Sequence, residues 1–469
     1  MKGGSIFNNR GAAAGGAYVA GQMELTGGKI TGNTATSQVQ TDGGSGIYIA
    51  GSGVVTMTGG EVSDNIGVNG IRAYASAVLN LGGSAKVTGN TDADGKTNNV
   101  YIQANDRVIN IVAPFESGAS VGVTRNASGT FTQGYADFNR GADGVVVHPN
   151  NYFFSDDDRY IVSVTVATEE RSEEATIGIP VAKPEGLGDN SPVYNGTAQE
   201  IISIDDETWA GIVLINDKLP SDVTFDAETK RFTAVHAGNY SLYFKPADGY
   251  CWSDGTVIEL LVHTWVSKRV ATFAWSNDVF TYDDLEKVPT AEVTNAVSVE
   301  GLIEKFSVVV DGRQVNAGTY TATVGIVSNM IDGVEYSDYA VSDTEPTSSH
   351  EFTINRADLK DIKLQSEEAL YKTPMKLGIT GNLGGGKVDF ELIAGGDGKA
   401  TLEKVGESGA EEYELTPTGI GVQKIKIKIE QTQNYNAFEG EAEITIKPAP
   451  MKLGFETDTV VYGDNLTLS

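Results

Sequence analysis

Glycine pairs recur through the first hundred residues, each followed by a short β-branched stretch and an asparagine, and this recurrence restricts the fold more than any other feature. Gly3-Gly4, Gly27-Gly28, Gly59-Gly60 and Gly82-Gly83 are spaced by 24, 32 and 23 residues, a period near 24 with one insertion. Residues 17 to 33 (AYVAGQMELTGGKITGN) divide into three short β-like pieces, AYVA, MELT and KITG, closed by Asn33. The same parts return as IYIAGSGVVTMTGGEVSDN at 47 to 65 and, more loosely, as AYASAVLNLGGSAKVTGN at 73 to 90. Self-similarity at this period marks a solenoid, and three strands of four or five residues per repeat specify a triangular parallel β-helix. Each strand is expected to pair with its equivalent one coil away, so that every backbone donor finds an acceptor. Glycine at the corners supplies φ > 0, and asparagine tolerates the same conformation while its amide stacks on the next. Asn33, Asn65 and Asn90 are the expected members of such a ladder.

Strand alternation sorts the faces. With Ala17, Val19, Ile47, Ile49, Val100 and Ile102 inward, Tyr18, Tyr48 and Tyr101 point outward, and Tyr74 joins them by a looser alignment. An outward tyrosine column is either a platform on which sugar rings stack or a stabilising aromatic ladder, and the residues alone leave both open. Segments such as IYIA, GGxIxxN, NVYI at 99 to 102 and SVGVTRN at 120 to 126 resemble the β-helix repeats of adhesin-like surface proteins of Gram-positive gut bacteria. That resemblance covers residues 1 to 165 and implies a right-handed helix and an extracellular setting.

A second repeat follows. Residues 166 to 192 replace apolar alternation with charge, proline and glycine, and read as a linker. Beyond it Tyr194, Tyr282, Tyr371 and Tyr462 recur at spacings of 88, 89 and 91, each after an apolar residue and before polar turn residues. AGNYSLYF at 237 and AGTYTATV at 317 keep the same phase, and HEFTINRA at 350 and AEITIKPA at 442 close modules. Short alternating strands with frequent turns over such a length point to Ig-like β-sandwiches at 193–268, 269–357 and 358–448. Trp252 and Trp265 are the expected core anchors of the first. YNGTAQ, AGTYTATV and the I-x-x-A ending resemble the MBG-type and related Ig-like (Big-like) repeats of bacterial surface proteins. The third module departs from the pattern, with GIGVQKIKIKI where AGxY belongs. In such families the modules serve as stalk or adhesive repeats.

The fold class expected is therefore all-β. Met1-Lys2-Gly3-Gly4 aligns with Met57-Thr58-Gly59-Gly60, and residues 449–469 open a fourth module that stops within about one strand, so the chain is expected to be a fragment. A length of 469 residues exceeds what one core supports, in keeping with several modules. With Lys+Arg 34 against Asp+Glu 63, the net charge of -29 disfavours nucleic acid and anionic membranes as partners. No stretch has the roughly 20 apolar residues that a membrane span needs. One cysteine, Cys251, excludes a disulfide framework and a cysteine-based zinc site.

Motifs for chemistry are weak. GNLGGGKV at 381 to 388 satisfies G-x-x-x-x-G-K, but Val388 stands where a phosphate loop needs Ser or Thr, and an alternating strand follows instead of a helix. DGKT at 94 to 97 fails similarly. His148, His236, His263 and His350 are isolated. Parallel β-helices do host polysaccharide lyases and glycosidases, which cluster carboxylates on adjacent coils. Here Glu24, Asp42, Glu61 and Asp64 are scattered among turns. No cofactor is expected; Asp156, Asp157 and Asp158 are the weak candidates for calcium against a solvated acidic loop. Lys-to-Asn or Lys-to-Asp isopeptide cross-links occur in such sandwiches, and the sequence singles out no residues for one. The expected role is a non-catalytic structural and adhesive one at the cell surface or outside the cell, with glycans or proteins as partners. The alternatives are a carbohydrate-active enzyme on the β-helix and a purely mechanical spacer.

Overall fold

The computed structural model describes residues 1–37, 43–103, 107–168, 172–406 and 412–451, and contacts divide the chain into two compact units, Met1–Arg269 and Val270–Ser469. The chain is all-β. Among the described residues no helix is long and apolar enough to cross a membrane.

In the first unit, equivalent segments of successive repeats pair in parallel. Ala17–Val19, Ile47–Ile49, Ile71–Ala73 and Val100–Ile102 form one ladder, which aligns Tyr18, Tyr48, Arg72 and Tyr101 side by side. Gln22–Thr31, Val54–Ser63, Val78–Gly83 and Ile109–Phe115 form the next, with Leu25, Met57, Leu81 and Ile111 in register. A third aligns Ile6, Ile30, Val62, Val87, Val121 and Phe153, of which all but Ile6 are buried. Each such side chain removed from water contributes about 1.5–3 kcal/mol, so a column of this kind dominates the stability of the stack. The middle and third pieces run as one strand in Gln22–Thr31 and Val54–Ser63, with a register shift at the glycine pair, and as two in the next repeat, Val78–Gly83 and Lys86–Thr88. A two-residue strand follows each asparagine, at Thr34–Ala35, Ile66–Gly67 and Thr91–Asp92.

The paired glycines have two different reasons to be there. A Cβ on Gly27 would lie 2.5 Å from the Lys2 carbonyl oxygen, and one on Gly59 2.6 Å from that of Thr26, so Gly27 and Gly59, each the first of its pair, both exclude a side chain. The second position, at Gly28 and Gly60, has φ of 87° and 79°, which L-residues avoid.

The stretch expected to be a linker contains the strand Ala175–Val181, which pairs antiparallel with Ile161–Val164 and in parallel with Tyr250–Trp252. Ala175 and Ile177 are buried in the same core as the repeats. The charged runs on either side hide this apolar alternation, ATIGIPV, from a compositional reading. The described part of 166–192 is thus structured at its centre.

The sandwich that follows has two three-stranded antiparallel sheets, Gln199–Ile202 with Arg231–Ala234 and Val223–Asp226, and Ile212–Leu214 with Gly238–Pro246 and Leu260–Val266. Phe232 of one sheet meets Phe244 of the other edge-on at 5.8 Å. Trp252 is fully buried and donates its indole N–H to the Ile258 carbonyl. Trp265 is not a core anchor. Val262, Thr264 and Val266 take the inward positions of its strand and leave it half-buried on the other face, while Trp209 packs against Phe225, Phe232 and Phe244 instead. Burial pushes the Cys251 thiol up to about 11.

The second unit repeats this plan twice. Gly318–Ile331 pairs with Ser349–Asn355 and Lys305–Asp311 around Ala322, Phe352 and Ile354, and Gly421–Ile429 pairs with Phe438–Lys447 and Val388–Ile393 over a larger aliphatic core. In all three modules the recurring tyrosine enters beside the last strand: the backbone N–H groups of Tyr194, Tyr282 and Tyr371 donate at 2.9 Å to the carbonyls of Ser267, Asn355 and Lys447. Tyr194 is fully buried, and the other two are half-buried. Tyr462 lies outside the described residues. The AGxY tyrosines cap the same corner twice, Tyr240 and Tyr320 donating their hydroxyls to the carbonyls of His236 and Asn316, four residues upstream. Register places Gln423 at the equivalent position of the third module, where its amide donates to the carbonyls of Ile393 and Lys424. Gly381 and Gly385 turn the chain directly into the strand Val388–Ile393, which leaves no helix for a phosphate loop.

Candidate binding face and buried ladder of the N-terminal repeats

The asparagines closing the repeats point inward and bond to one another. Asn33 gives its backbone N–H and its amide to the Oδ1 of Asn65, at 3.0 and 2.9 Å. Asn65 does the same to Asn90, at 3.2 and 2.8 Å. The ladder has three further members, of which Asn9 follows Gly3-Gly4 at the interval that separates Asn33 from Gly27-Gly28, while Asn99 and Asp156 fit no such spacing. Asn9 donates twice to Asn33, Asn90 donates twice to Asn99, and Asn99 donates at 2.7 Å to each carboxylate oxygen of Asp156. The second amide hydrogens are used as well, Asn65 bonding the Ile30 and Ser63 carbonyls and Asn90 those of Val62 and Thr88. Every link has the same polarity, and an acceptor-only carboxylate is the group that can end such a chain. Burial pushes the Asp156 carboxyl up, against the opposing pull of the Thr124 hydroxyl and the Asn99 donors.

Asp156 is thereby committed to the ladder, and the three adjacent aspartates diverge. Asp157 grips Arg159 at 2.7 Å, which pulls its carboxyl down to about 2, and Asp158 is exposed. Among the described residues no group of three or more His, Cys, Asp or Glu side chains is placed to hold a metal ion. Of the acids in the repeats, Glu61 sits opposite Lys29 at 2.9 Å, whose bond lowers its carboxyl, with Ser63 assisting. Glu24 and Asp64 are exposed, and Asp42 lies outside the described residues.

The tyrosines occupy one face but do not form a flat platform. Tyr18 meets Tyr48 at 5.6 Å and 53°, and Tyr48 meets Tyr74 at 6.3 Å and 34°. Tyr18 and Tyr74 are 62% and 46% exposed, whereas Tyr48 and Tyr101 are covered. Only the first two can offer a ring to a ligand. Tyr101 is separated from the row because its cross-strand neighbour is Arg72, whose guanidinium lies 4.4 Å over its ring. The Tyr101 hydroxyl accepts from Asn126. Arg72, which sequence alternation does not single out, is 1% exposed, and its Nε and Nη1 have no hydrogen-bond partner among the described residues. Burial pushes its guanidinium down.

A separate cleft of ≈ 870 Å³ lies where the repeats end, lined by Val108, Thr132, Asp137, Phe138 and Glu174 among others. Both Glu174 oxygens are occupied, by the N–H groups of Gly134 and Tyr135 and the Thr132 hydroxyl.

No family model matches the chain, and no curated protein matches it. Among solved structures, Drosophila N-cadherin EC1-4 aligns at 10% identity over 62% of this chain and 83% of that chain, with a TM-score of 0.21. A SusE-like surface located polysaccharide binding protein from the Bacteroides thetaiotaomicron heparin utilisation locus aligns at 12% identity over 62% of this chain and 51% of that chain, with a TM-score of 0.16. An endo-fucoidan hydrolase of glycoside hydrolase family 107 aligns at 15% identity over 55% and 43%, with a TM-score of 0.13. Superpositions this poor carry no argument about function.

Proposed function

We propose that this chain is a non-catalytic structural and adhesive segment of a bacterial cell-surface or secreted protein. Residues 1–165 act as a right-handed parallel β-helix, serving as rod or binding head, and the MBG-type Ig-like modules serve as its stalk. The observation that carries the reading is the ladder from Asn9 to Asp156, which devotes a file of buried amides and one buried carboxylate to holding the stack rather than to meeting a substrate. The exposed rings of Tyr18 and Tyr74 on the same repeats supply an adhesive surface for glycans or proteins. Several modules in series give avidity to contacts that are individually weak. No cofactor is required.

One observation favours a second reading, a carbohydrate-active enzyme: the cleft beside Asp137 and Glu174. Retention of the chain on a panel of polysaccharides, measured together with release of reducing ends or unsaturated products, separates the readings. Retention without product is expected. Product release abolished by Asp137→Asn or Glu174→Gln would install the enzyme instead, and neither retention nor product on any glycan or protein surface would leave a spacer.

A further inference from the structure

The face that carries Tyr18 and Tyr74 holds a cation whose charge no carboxylate among the described residues neutralises. Arg72 is enclosed to 1% exposure, with Nε and Nη1 unbonded and a single long bond of 3.4 Å from Nη2 to Gln103. Among the described residues no carboxylate is ion-paired with it, although acids outnumber bases by 63 to 34 in this protein. Arg107 acts on it as a like charge, against the favourable pull of the Tyr101 side chain. Burying an unpaired guanidinium is costly, and the Tyr101 ring beneath it offsets only part of that cost. A deficit of this kind, on a face flanked by exposed aromatic rings, matches a site whose counter-charge arrives with a ligand.

Resting on the adhesive reading above, we propose that Arg72, Tyr18 and Tyr74 form a subsite for an acidic polysaccharide, in which a uronate carboxylate or sugar sulfate reaches Arg72 while neighbouring sugar rings lie against the two tyrosines. Gln103 is exposed and, among the described residues, held by this one long contact, so rotation of its side chain releases Nη2 for the anion. Arginine offers a planar pair of donors to such groups. The net charge of -29 opposes long-range attraction, so recognition is short-range, and added salt screens the repulsion without removing the contact.

The test is calorimetric titration of the full chain with an oligogalacturonate, a sulfated oligosaccharide, a neutral cello-oligosaccharide of matched length and polyglutamate. At least one acidic oligosaccharide binds, and Arg72→Met weakens it by roughly tenfold or more, the scale of one charge-assisted contact. Tyr18→Ala and Tyr74→Ala, at exposed positions that leave the fold intact, weaken it similarly. Equal binding of acidic and neutral sugars, or acidic binding untouched by the three variants, overturns this subsite while leaving the adhesive reading in place. Polyglutamate binding with the same dependence on Arg72 replaces the sugar with an acidic peptide. No binding of either acidic sugar also overturns it, and the adhesive reading then stands or falls on the retention panel alone.

Discussion

The N-terminal repeats and the sandwiches solve the same problem, joining short β-strands into a stable stack, with opposite use of polar side chains. In the sandwiches, cores such as that around Leu415, Ile425, Ile427 and Ile444 are apolar, corners are held by Tyr240, Tyr320 and Gln423, and buried polar side chains form local contacts, such as Thr264 with the Ile201 carbonyl and Asn329 with Asp338, instead of a continuous file. In the repeats, a file of asparagines runs through the interior beside the aliphatic column. A strand that returns antiparallel through a short turn is held in register by that turn. A parallel strand arrives after a whole repeat and has no such restraint, so a side-chain ladder that bonds only in one alignment supplies it.

The sharpest way to break this comparison is to delete one rung. Asn65→Ala removes its bonds to Asn33, Asn90, Ile30 and Ser63 at once and strands several buried partners, at a cost of more than about 4 kcal/mol. Ile444→Ala in the third sandwich leaves only a cavity and costs about 3 kcal/mol. Denaturant unfolding of the two variants, followed unit by unit, compares the losses directly.

Asp156 offers a smaller, signed effect. Its folded carboxyl titrates above the ordinary value of 3.8, so between that value and its raised one the folded state holds a proton that the unfolded chain has lost. Its contribution to stability therefore falls as pH rises through that window. Asp156→Asn removes the slope, and it costs about 2 kcal/mol at neutral pH because the two Asn99 donors reach different oxygens of Asp156, one of which becomes an amide nitrogen that donates. Unfolding midpoints measured across the window for both proteins check the sign.

The smallest expected effect belongs to the sandwich corner. Tyr320→Phe loses one hydroxyl bond and about 1 kcal/mol, visible as a lower unfolding midpoint of the second unit with the first unit unchanged.

These residues also mark how far the sequence could be read. Asn33, Asn65 and Asn90 stand out because they follow the glycine pair at a nearly constant distance, whereas Asn99 comes nine residues after Asn90 and Asp156 fifty-seven after Asn99. No period reaches them. The inward alternation around Tyr48 is legible, but the burial of Tyr48 and Tyr101 depends on neighbours in other repeats, and the arginine that aligns with them breaks the pattern of tyrosines. Trp265 misleads because the buried Thr264 beside it, bonded to the Ile201 carbonyl, disguises which residues of that strand face inward. The strand Ala175–Val181 is hidden by its charged flanks, since composition averaged over a window loses a seven-residue alternation.

The central claim is that the ladder makes the N-terminal repeats one cooperative element. A stack held only by contacts between neighbouring repeats would open from its ends inward. Native-state hydrogen exchange at the backbone amides of Asn33, Asn65, Asn90 and Asn99 tests this, because each donates to a side chain rather than to a strand partner. The four amides are expected to share one opening free energy, equal to that of core amides such as Val87. A graded series, with Asn33 exchanging well before Asn90, would contradict the claim.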